Sequence, residues 1–422
     1  MKKMLFCAIS AAAMLSACSS EENISSNPAG EALTPKIQLG VSTAATATTR
    51  GTGTVGGITP EENVWAGQDL WIYMLNQNSM EVAEYVDSNP TAVPNKRAIF
   101  DNKKFTAPVG AGEDEENKNK GIASTADGCV EYYPTYGQFD FWGYRVDNAC
   151  GGDPVVKTVN DNGEVVEAKD ATRRVVDITI DGSQDIMAGK AVITEEEKAK
   201  LGNRTNDYFS AYAARKGVQP NINFEHLLTR LTFHVKAGSK SAAGNGTNTD
   251  PVNVTSISVE GKNKGQLTVA YTGAEPQSLL TFEDTTAPFV LMERQGEDHN
   301  STLKGLTPTA LTWTSGEGEG AVGAADNIAI GEALLVAPGV EKYKLKVGLS
   351  QMVQKKVGEG KEPMTLEYEA DLIAPNGKFD KGTSYDVNIT VYGLEKIDVT
   401  ATLKPWLPGD DINIDDDNRP QE

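Results

Sequence analysis

Short runs in which apolar and polar residues alternate recur along this chain of 422 residues, and they limit its fold more than any other feature. A period of two places successive side chains on opposite faces of an extended strand. Stretches rich in glycine and asparagine, such as 244–248, separate the runs and are typical of turns. The pattern predicts an all-β fold of the sandwich type. The clearest runs are Asp69–Leu75, Gly137–Tyr144, Arg174–Ile180, Leu228–Lys236, Val252–Val259 and Ser384–Val391.

Two segments carry helix signals. Thr194 followed by Glu197 forms a capping-box pattern, and Gly202 is a stop signal beyond it. Residues 206–216 have apolar side chains at helical spacing. We therefore expect minor helices within the all-β fold.

The charge balance argues against one class of partner. The chain has 59 acidic and 39 basic residues, which gives a formal net charge of −20. Binding to nucleic acid depends on a basic surface, so nucleic acid is not an expected partner.

The chain begins with an export signal. Lys2 and Lys3 precede an apolar run, and Leu15-Ser-Ala-Cys18 has the form of a lipobox. This predicts a signal peptide at residues 1–17 and a lipoprotein whose acyl chains, such as palmitate, are attached to Cys18. The alternative is an ordinary secretory peptide with an incidental cysteine.

A strand and an arginine follow the lipobox. Ile37, Leu39 and Val41 alternate with other residues, which predicts a half-buried strand. Arg50, directly before Gly51, lies among small residues, where a trypsin-like protease can bind extended backbone. Cleavage there would separate residues 18–50, the tether and the strand, from the rest. The alternative is that Arg50 is an ordinary loop arginine that stays uncut.

Two cysteines remain for the folded body. Cys7 lies in the signal and Cys18 is the lipid site, which leaves Cys129 and Cys150. Sequence spacing does not report the distance between Cα atoms, so a Cys129–Cys150 disulfide and two buried thiols both stay open.

No pattern of catalytic or ligand-binding residues stands out. The three histidines have no zinc-type spacing, and no nucleophile elbow, phosphate loop or dinucleotide motif is present. The acidic tail has carboxylates and amides at calcium-loop spacing, but it lacks the required glycine. We predict a non-enzymatic protein with no metal and no cofactor.

Several stretches carry a family resemblance. In their order along the chain they resemble signature stretches of the fimbrillin-like family (type V pilins) of Bacteroides-type bacteria, in its lipoprotein precursor form. They are Asp69–Tyr73, Tyr132–Tyr136, Phe139–Tyr144, Phe224–Phe233 and Ile397–Trp406.

This resemblance implies a fold and a function. The fold would be two transthyretin-like antiparallel β-sandwich domains, at 51–219 and 220–394, followed by a donor strand and acidic tail at 395–422. The chain would be a pilus subunit held in the outer membrane by lipid on Cys18. An arginine-specific surface protease would cut after Arg50, the first strand would leave, and a strand from another pilin subunit would replace it. The product would be a cell-surface fimbria that serves adhesion.

The implied donor strand has one apolar face, formed by Ile397, Val399, Ala401 and Leu403, and it ends near Trp406. Such a strand can add to an open sheet edge. Two alternatives stay open. The segment could simply close its own sheet, and the protein could be a surface lipoprotein that does not polymerise, either a pilus anchor or tip or a module that binds glycan or peptide.

Overall fold

The computed structural model describes residues 35–43, 69–87, 95–106, 123–124, 131–202, 208–244, 250–295, 303–314, 324–354, 360–394, 396–404 and 412–414. Strands dominate these residues, and each of the clearest alternating runs contains a strand. The all-β fold of antiparallel sheets with minor helices is therefore confirmed.

The largest sheet, here called the central sheet, joins the two ends of the described chain. All its strand pairs are antiparallel except β1 with β11, which are parallel. From one edge to the other its strands are β28 (Ile412–Ile414), β1 (Leu39–Thr43), β11 (Asn221–His226), β10 (Met187–Ala191), β7 (Phe139–Arg145), β2 (Asp69–Asn76), β5 (Lys103–Thr106) and β6 (Ala123–Ser124).

The middle strands of the central sheet are buried on both faces. In β2, Leu70 and Ile72 belong to one hydrophobic cluster, whereas Trp71 and Tyr73 belong to the other. Because successive side chains of a strand point to opposite faces, the two clusters lie on opposite sides of this sheet. Such burial explains why the middle strands are almost continuously apolar or aromatic.

The other described strands form three smaller sheets and three two-stranded pairs. All of these are antiparallel except for the pair β12 and β26, which is parallel. The first sheet is β15 (Leu280–Phe282), β14 (Lys264–Tyr271), β9 (Arg173–Thr179) and β8 (Val156–Val159). The second is β22 (Ile328–Ala329), β12 (Thr229–Ala237), β26 (Ser384–Gly393) and β27 (Lys396–Lys404), with β23 (Leu334–Val336) beside β12. The third is β16 (Thr286–Val290), β13 (Asn253–Lys262), β24 (Lys342–Val353) and β25 (Glu362–Ile373), with β19 (Thr309–Ala310) beside β13. The pairs are β3 (Glu84–Asp87) with β4 (Asn95–Ala98), β17 (Met292–Arg294) with β18 (Leu303–Gly305), and β20 (Trp313–Thr314) with β21 (Ala324–Ala325).

Strands from before and after the predicted domain boundary, between residues 219 and 220, pair with each other. β11 follows that boundary yet belongs to the central sheet, and only Leu227 and Leu228 separate it from β12. In the same way β14 pairs with β9, which lies before the boundary. The described residues from Pro35 to Ile414 form one compact unit.

The short helices begin where hydroxyl side chains cap them. Helix α1 (Glu195–Leu201) has the predicted capping box between Thr194 and Glu197, and it ends at Gly202, whose φ is 69°. Helix α2 (Ala211–Arg215) is shorter than the predicted segment because Ser210 caps it, with Oγ accepting from the N–H of Ala213 at 3.2 Å. A 3₁₀-helix spans Ala168–Asp170. No helix in the described part of the chain is both long and apolar enough to cross a membrane.

Candidate functional site

The N-terminal strand β1 lies inside the central sheet and not at its edge. On one side it pairs in parallel with β11, from Gly40 opposite Asn221 to Thr43 opposite Phe224. On the other side it pairs antiparallel with β28, where Leu39 faces Ile414. The strand predicted to be removable is therefore paired along both of its edges.

Backbone hydrogen bonds extend this pairing to the residues before β1. The N–H of Ile37 donates to the carbonyl oxygen of Glu131 at 2.8 Å, and the N–H of Tyr133 donates to that of Pro35 at 3.1 Å. These bonds fasten the start of the strand to the segment that precedes β7.

The opposite edge is fastened by the residues before β11. The N–H of Gly40 donates to the carbonyl oxygen of Pro220 at 2.9 Å. The Gln219 side chain bonds twice, because its Oε1 accepts from the N–H of Gln38 at 3.2 Å and its Nε2 donates to the carbonyl of Lys36 at 3.1 Å. An amide side chain thus serves as one more rung of the ladder.

Ile37 and Leu39, two residues of the predicted alternating face of this strand, are buried. Ile37 is 8% exposed and Leu39 is 1% exposed, and both belong to the hydrophobic cluster that includes Ile222 and Phe224 of β11. Burying these two side chains contributes roughly 3–6 kcal/mol to holding the strand. Val41 faces Ile412 in the register of β28.

The residue that bonds the backbone of Ile37, Glu131, has a buried side-chain carboxylate. Glu131 is 5% exposed, and its two oxygens each accept from the Arg97 guanidinium at 2.8 Å. The ammonium group of Lys103 lies 3.6 Å from the same carboxylate. Sequence patterns single out neither Glu131 nor Gln219, because the partners of both lie far away along the chain.

Glycines let β11 pack closely against its inner neighbours. A Cβ on Gly143 of β7 would lie 2.6 Å from Cζ of Phe224, so the Phe224 ring fills the space that a side chain would occupy. A Cβ on Gly189 of β10 would collide with the backbone carbonyl of Asn223. The wall behind β1 is therefore built from tightly packed backbone.

A buried polar network holds the far end of β11. Nδ1 of His226 lies 2.9 Å from Oδ1 of Asp185, which is fully buried. Arg145 bonds Asp147 through Nε at 2.6 Å, and Asp147 in turn accepts from the N–H of Asp185 at 2.8 Å. Burial lowers the pKa of Arg145, but the charges of Asp147 and Asp185 outweigh it and hold that pKa above its usual value. These charged groups are bound to one another, which is the arrangement that makes their burial tolerable.

The predicted donor strand closes its own sheet in the single chain. It is β27, which pairs antiparallel with β26 from Lys396 to Lys404. Ile397, Val399 and Ala401 are partly buried against the core, whereas Leu403 is 42% exposed. This is the alternative arrangement that the sequence left open. Trp406 lies outside the described residues.

The predicted lipid site and cleavage site, Cys18 and Arg50 with Gly51, lie outside the part of the chain that the structure describes. The candidate disulfide partner Cys129 lies outside it as well. Cys150 is described and half-buried, with its Sγ 3.6 Å from the carbonyl oxygen of Asp177. Burial, with the nearby charge of Asp177, raises the pKa of the Cys150 thiol to about 11. The disulfide with Cys129 stays a prediction.

The described residues hold no cluster of metal-binding side chains. Within the described ranges, no three histidine, cysteine, aspartate or glutamate side chains lie close enough to hold a metal ion together. His234 lies beside Asp386, with Nδ1 3.0 Å from Oδ1, on the outer face of its sheet.

Comparison with known proteins gives structural neighbours only. Neither the protein-family models nor the curated proteins give a match to this chain. A fimbrial protein from Bacteroides vulgatus is similar, with 14% identity, a TM-score of 0.45, and coverage of 88% of this chain and 99% of that one. A fimbrial assembly protein from Parabacteroides distasonis has 13% identity, a TM-score of 0.30, and coverage of 88% and 99%. A fimbrial anchor protein from Porphyromonas gingivalis has 10% identity, a TM-score of 0.26, and coverage of 88% and 98%.

Proposed function

We propose that this protein is a subunit of a cell-surface fimbria that serves adhesion. In this proposal it is exported as a lipoprotein through Cys18, is cut between Arg50 and Gly51, and polymerises when a strand from another subunit takes the place of β1. The observation that carries the proposal is the position of β1, a terminal strand paired on both edges and buried through Leu39.

A cut after Arg50 would change how β1 is held. Arg50 lies in the connection between β1 and β2, so cleavage leaves the strand attached by non-covalent contacts alone. When the strand departs, the lipid on Cys18 leaves with it, which frees the folded body from the membrane. Departure of the strand would leave β11 with unpaired backbone groups beside an apolar wall, and such an edge binds another strand readily.

A transferred donor strand would exchange one pairing partner for another. In its own chain β27 has one described sheet partner, β26, and in the position of β1 it would pair with β11. The alternating face of Ile397, Val399, Ala401 and Leu403 suits the apolar wall left by Ile37 and Leu39. Pairing with β11, together with burial of Leu403, would offset the cost of leaving β26.

One observation favours the second candidate, a surface lipoprotein that does not polymerise. β27 pairs with β26 along its whole length, so the single chain already satisfies its predicted donor strand. A pilus anchor or tip would need no cut at Arg50 and would keep its lipid on Cys18.

Limited proteolysis separates the two candidates. The chain is treated with an arginine-specific protease, its new N-terminus is identified by mass, and its size is followed on gels without boiling. We expect a product that begins at Gly51 and forms a ladder of multimers. Arg50→Lys is the matched control, since it keeps the charge and resists this protease, and it should stay monomeric. Cleavage at Arg50 without multimers would contradict polymerisation and support the second candidate.

A further inference from the structure

An open cleft of about 560 Å³ lies where β2 ends and β7 begins, beside the start of α2. Its walls combine aromatic rings, side-chain amides and one guanidinium group. The residues that matter here are Asn76, Gln77, Tyr136, Tyr208, Tyr212 and Arg215.

Backbone hydrogen bonds preform the cleft. The N–H of Gln77 donates to the carbonyl oxygen of Gln138 at 2.8 Å, and Asn76 pairs with Phe139 in the sheet. Phe139 and Phe209 exchange two further bonds, at 2.9 and 3.2 Å. Three separate lengths of chain are thus locked together, so a ligand would meet an arranged surface and would not need to order it.

Three tyrosines lie on the solvent side of these bonded backbone segments. Tyr136 is 89% exposed, the highest value among the exposed large hydrophobic side chains of the described residues. The residue beside it must be glycine, because Gly137 has a φ of 127° and a Cβ there would collide with the Phe139 ring. Tyr208 and Tyr212 are partly buried on the opposite segment, four residues apart around the start of the helix.

The chemistry of the lining selects a ligand class. Among the described lining residues there is no leucine, isoleucine, valine, methionine or phenylalanine, so the cleft lacks the oily wall that an apolar ligand needs. The described lining residues also include no carboxylate, and Arg215 places a positive charge among them. Tyrosine rings present electron-rich faces, and the amides and Arg215 present hydrogen-bonding groups.

We infer that this cleft binds a saccharide. The C–H groups on one face of a sugar ring carry partial positive charge and suit the face of Tyr136, while the hydroxyl groups suit Asn76, Gln77 and Arg215. Among the described residues, those that line the cleft include none from β1 and none that pair with it. Saccharide binding therefore needs no cleavage and no exchange of strands, and it stands independently of the proposed assembly.

Titration of the full, uncleaved chain tests this inference. The probes are glucose, galactose, mannose, N-acetylglucosamine, glucuronate and N-acetylneuraminate, with disaccharides of the neutral sugars, and binding is followed by saturation-transfer NMR and calorimetry. At least one probe should bind with a Kd of about 1 mM or tighter. Tyr136→Ala should weaken that binding at least about tenfold, since it removes the stacking face, whereas Tyr136→Phe should keep it within about threefold.

Two controls separate loss of saccharide binding from loss of folding and from a general effect of removing a tyrosine. Tyr136 is almost fully exposed, so its loss should leave the thermal midpoint unchanged. Tyr85→Ala removes another exposed tyrosine, one that does not line the cleft, and should bind as the wild type does. The inference is overturned if no probe binds at about 10 mM, or if Tyr136→Ala binds the same probe as tightly as the wild type.

Discussion

At the scale of single residues, Glu131 links the charged surface of the central sheet to the strand that the proposal removes. Its carboxylate accepts from Arg97 and lies near Lys103, while its backbone carbonyl accepts from Ile37. A substitution of the Glu131 side chain should therefore also weaken the attachment of β1, because the backbone of the same residue bonds Ile37.

Glu131→Gln removes the charge and leaves Arg97 and Lys103 facing a neutral amide. Because Arg97 is more than half exposed, water compensates in part, and we expect a loss of about 1–3 kcal/mol in the free energy of unfolding. Urea titration measures this. Glu84→Gln is the control, since its pair with Lys96 is exposed and should be worth less than about 0.5 kcal/mol. Equal effects of the two changes would refute a special role for Glu131.

The thiol of Cys150 gives a prediction about reactivity. Its pKa is raised from 9.0 to about 11, so the thiolate is about a hundredfold rarer at pH 8 than in the unfolded chain. Alkylation of Cys150 in the folded chain should be slower by at least this factor and should speed up as the pH rises toward 11. Peptide mass analysis gives the rates, with the urea-unfolded chain as control. A thiol that reacts only after reduction would instead show the disulfide with Cys129.

At the scale of elements, β27 offers a direct test of the donor assignment. Leu403 is 42% exposed in the single chain, so Leu403→Asp should leave the monomer folded. If β27 enters the groove of another subunit, the new charge must be buried there, and multimers should disappear. Thr400→Asp places the same charge on the opposite, solvent-facing side and should still assemble. Assembly of both variants, followed on gels without boiling, would exclude β27 as the donor.

The wall behind β1 can be tested through Gly143. A Cβ there would press on Phe224 at 2.6 Å and on Cδ1 of Ile72 at 3.1 Å. Gly143→Ala should therefore destabilise the chain by about 1–3 kcal/mol. Gly152→Ala meets nothing within 4 Å and should change stability by less than about 0.5 kcal/mol. Matching urea midpoints for the two variants would contradict the close packing of β11.

The elements themselves could be predicted where their signal is local. The alternation of Ile37, Leu39 and Val41 predicts β1, and Thr194 with Glu197 predicts the start of α1. Pairing could not be predicted in this way, because the partner of β1 begins 181 positions later, at Asn221 opposite Gly40. The same holds for Glu131, whose role depends on cations from other strands. Register between distant strands is set by shared burial, and one strand's sequence does not record it.

At the scale of the whole molecule, the surroundings of β1 bring together segments from the beginning, middle and end of the described chain. β1 pairs with the start of β11 and with the C-terminal strand β28, and the residues just before β1 pair with the segment that precedes β7. β28 has β1 as its one described sheet partner, so loss of β1 would free the C-terminal segment as well. A cut in one connection would therefore loosen both ends of the described chain together.

Hydrogen exchange of Ile222 and Phe224 is the measurement to make first. The N–H of Gly40 in β1 bonds the carbonyl of Pro220, and alternate residues of a strand direct their backbone groups to the same edge, so the amides of Ile222 and Phe224 also point toward β1. We expect slow exchange in the uncleaved chain, fast exchange in the cleaved Leu403→Asp monomer, and slow exchange again in multimers of the cleaved wild type. Exchange that is equally slow in the uncleaved chain and the cleaved monomer would show that β1 does not leave. Exchange that stays fast in the multimers would show that no donor strand fills its place.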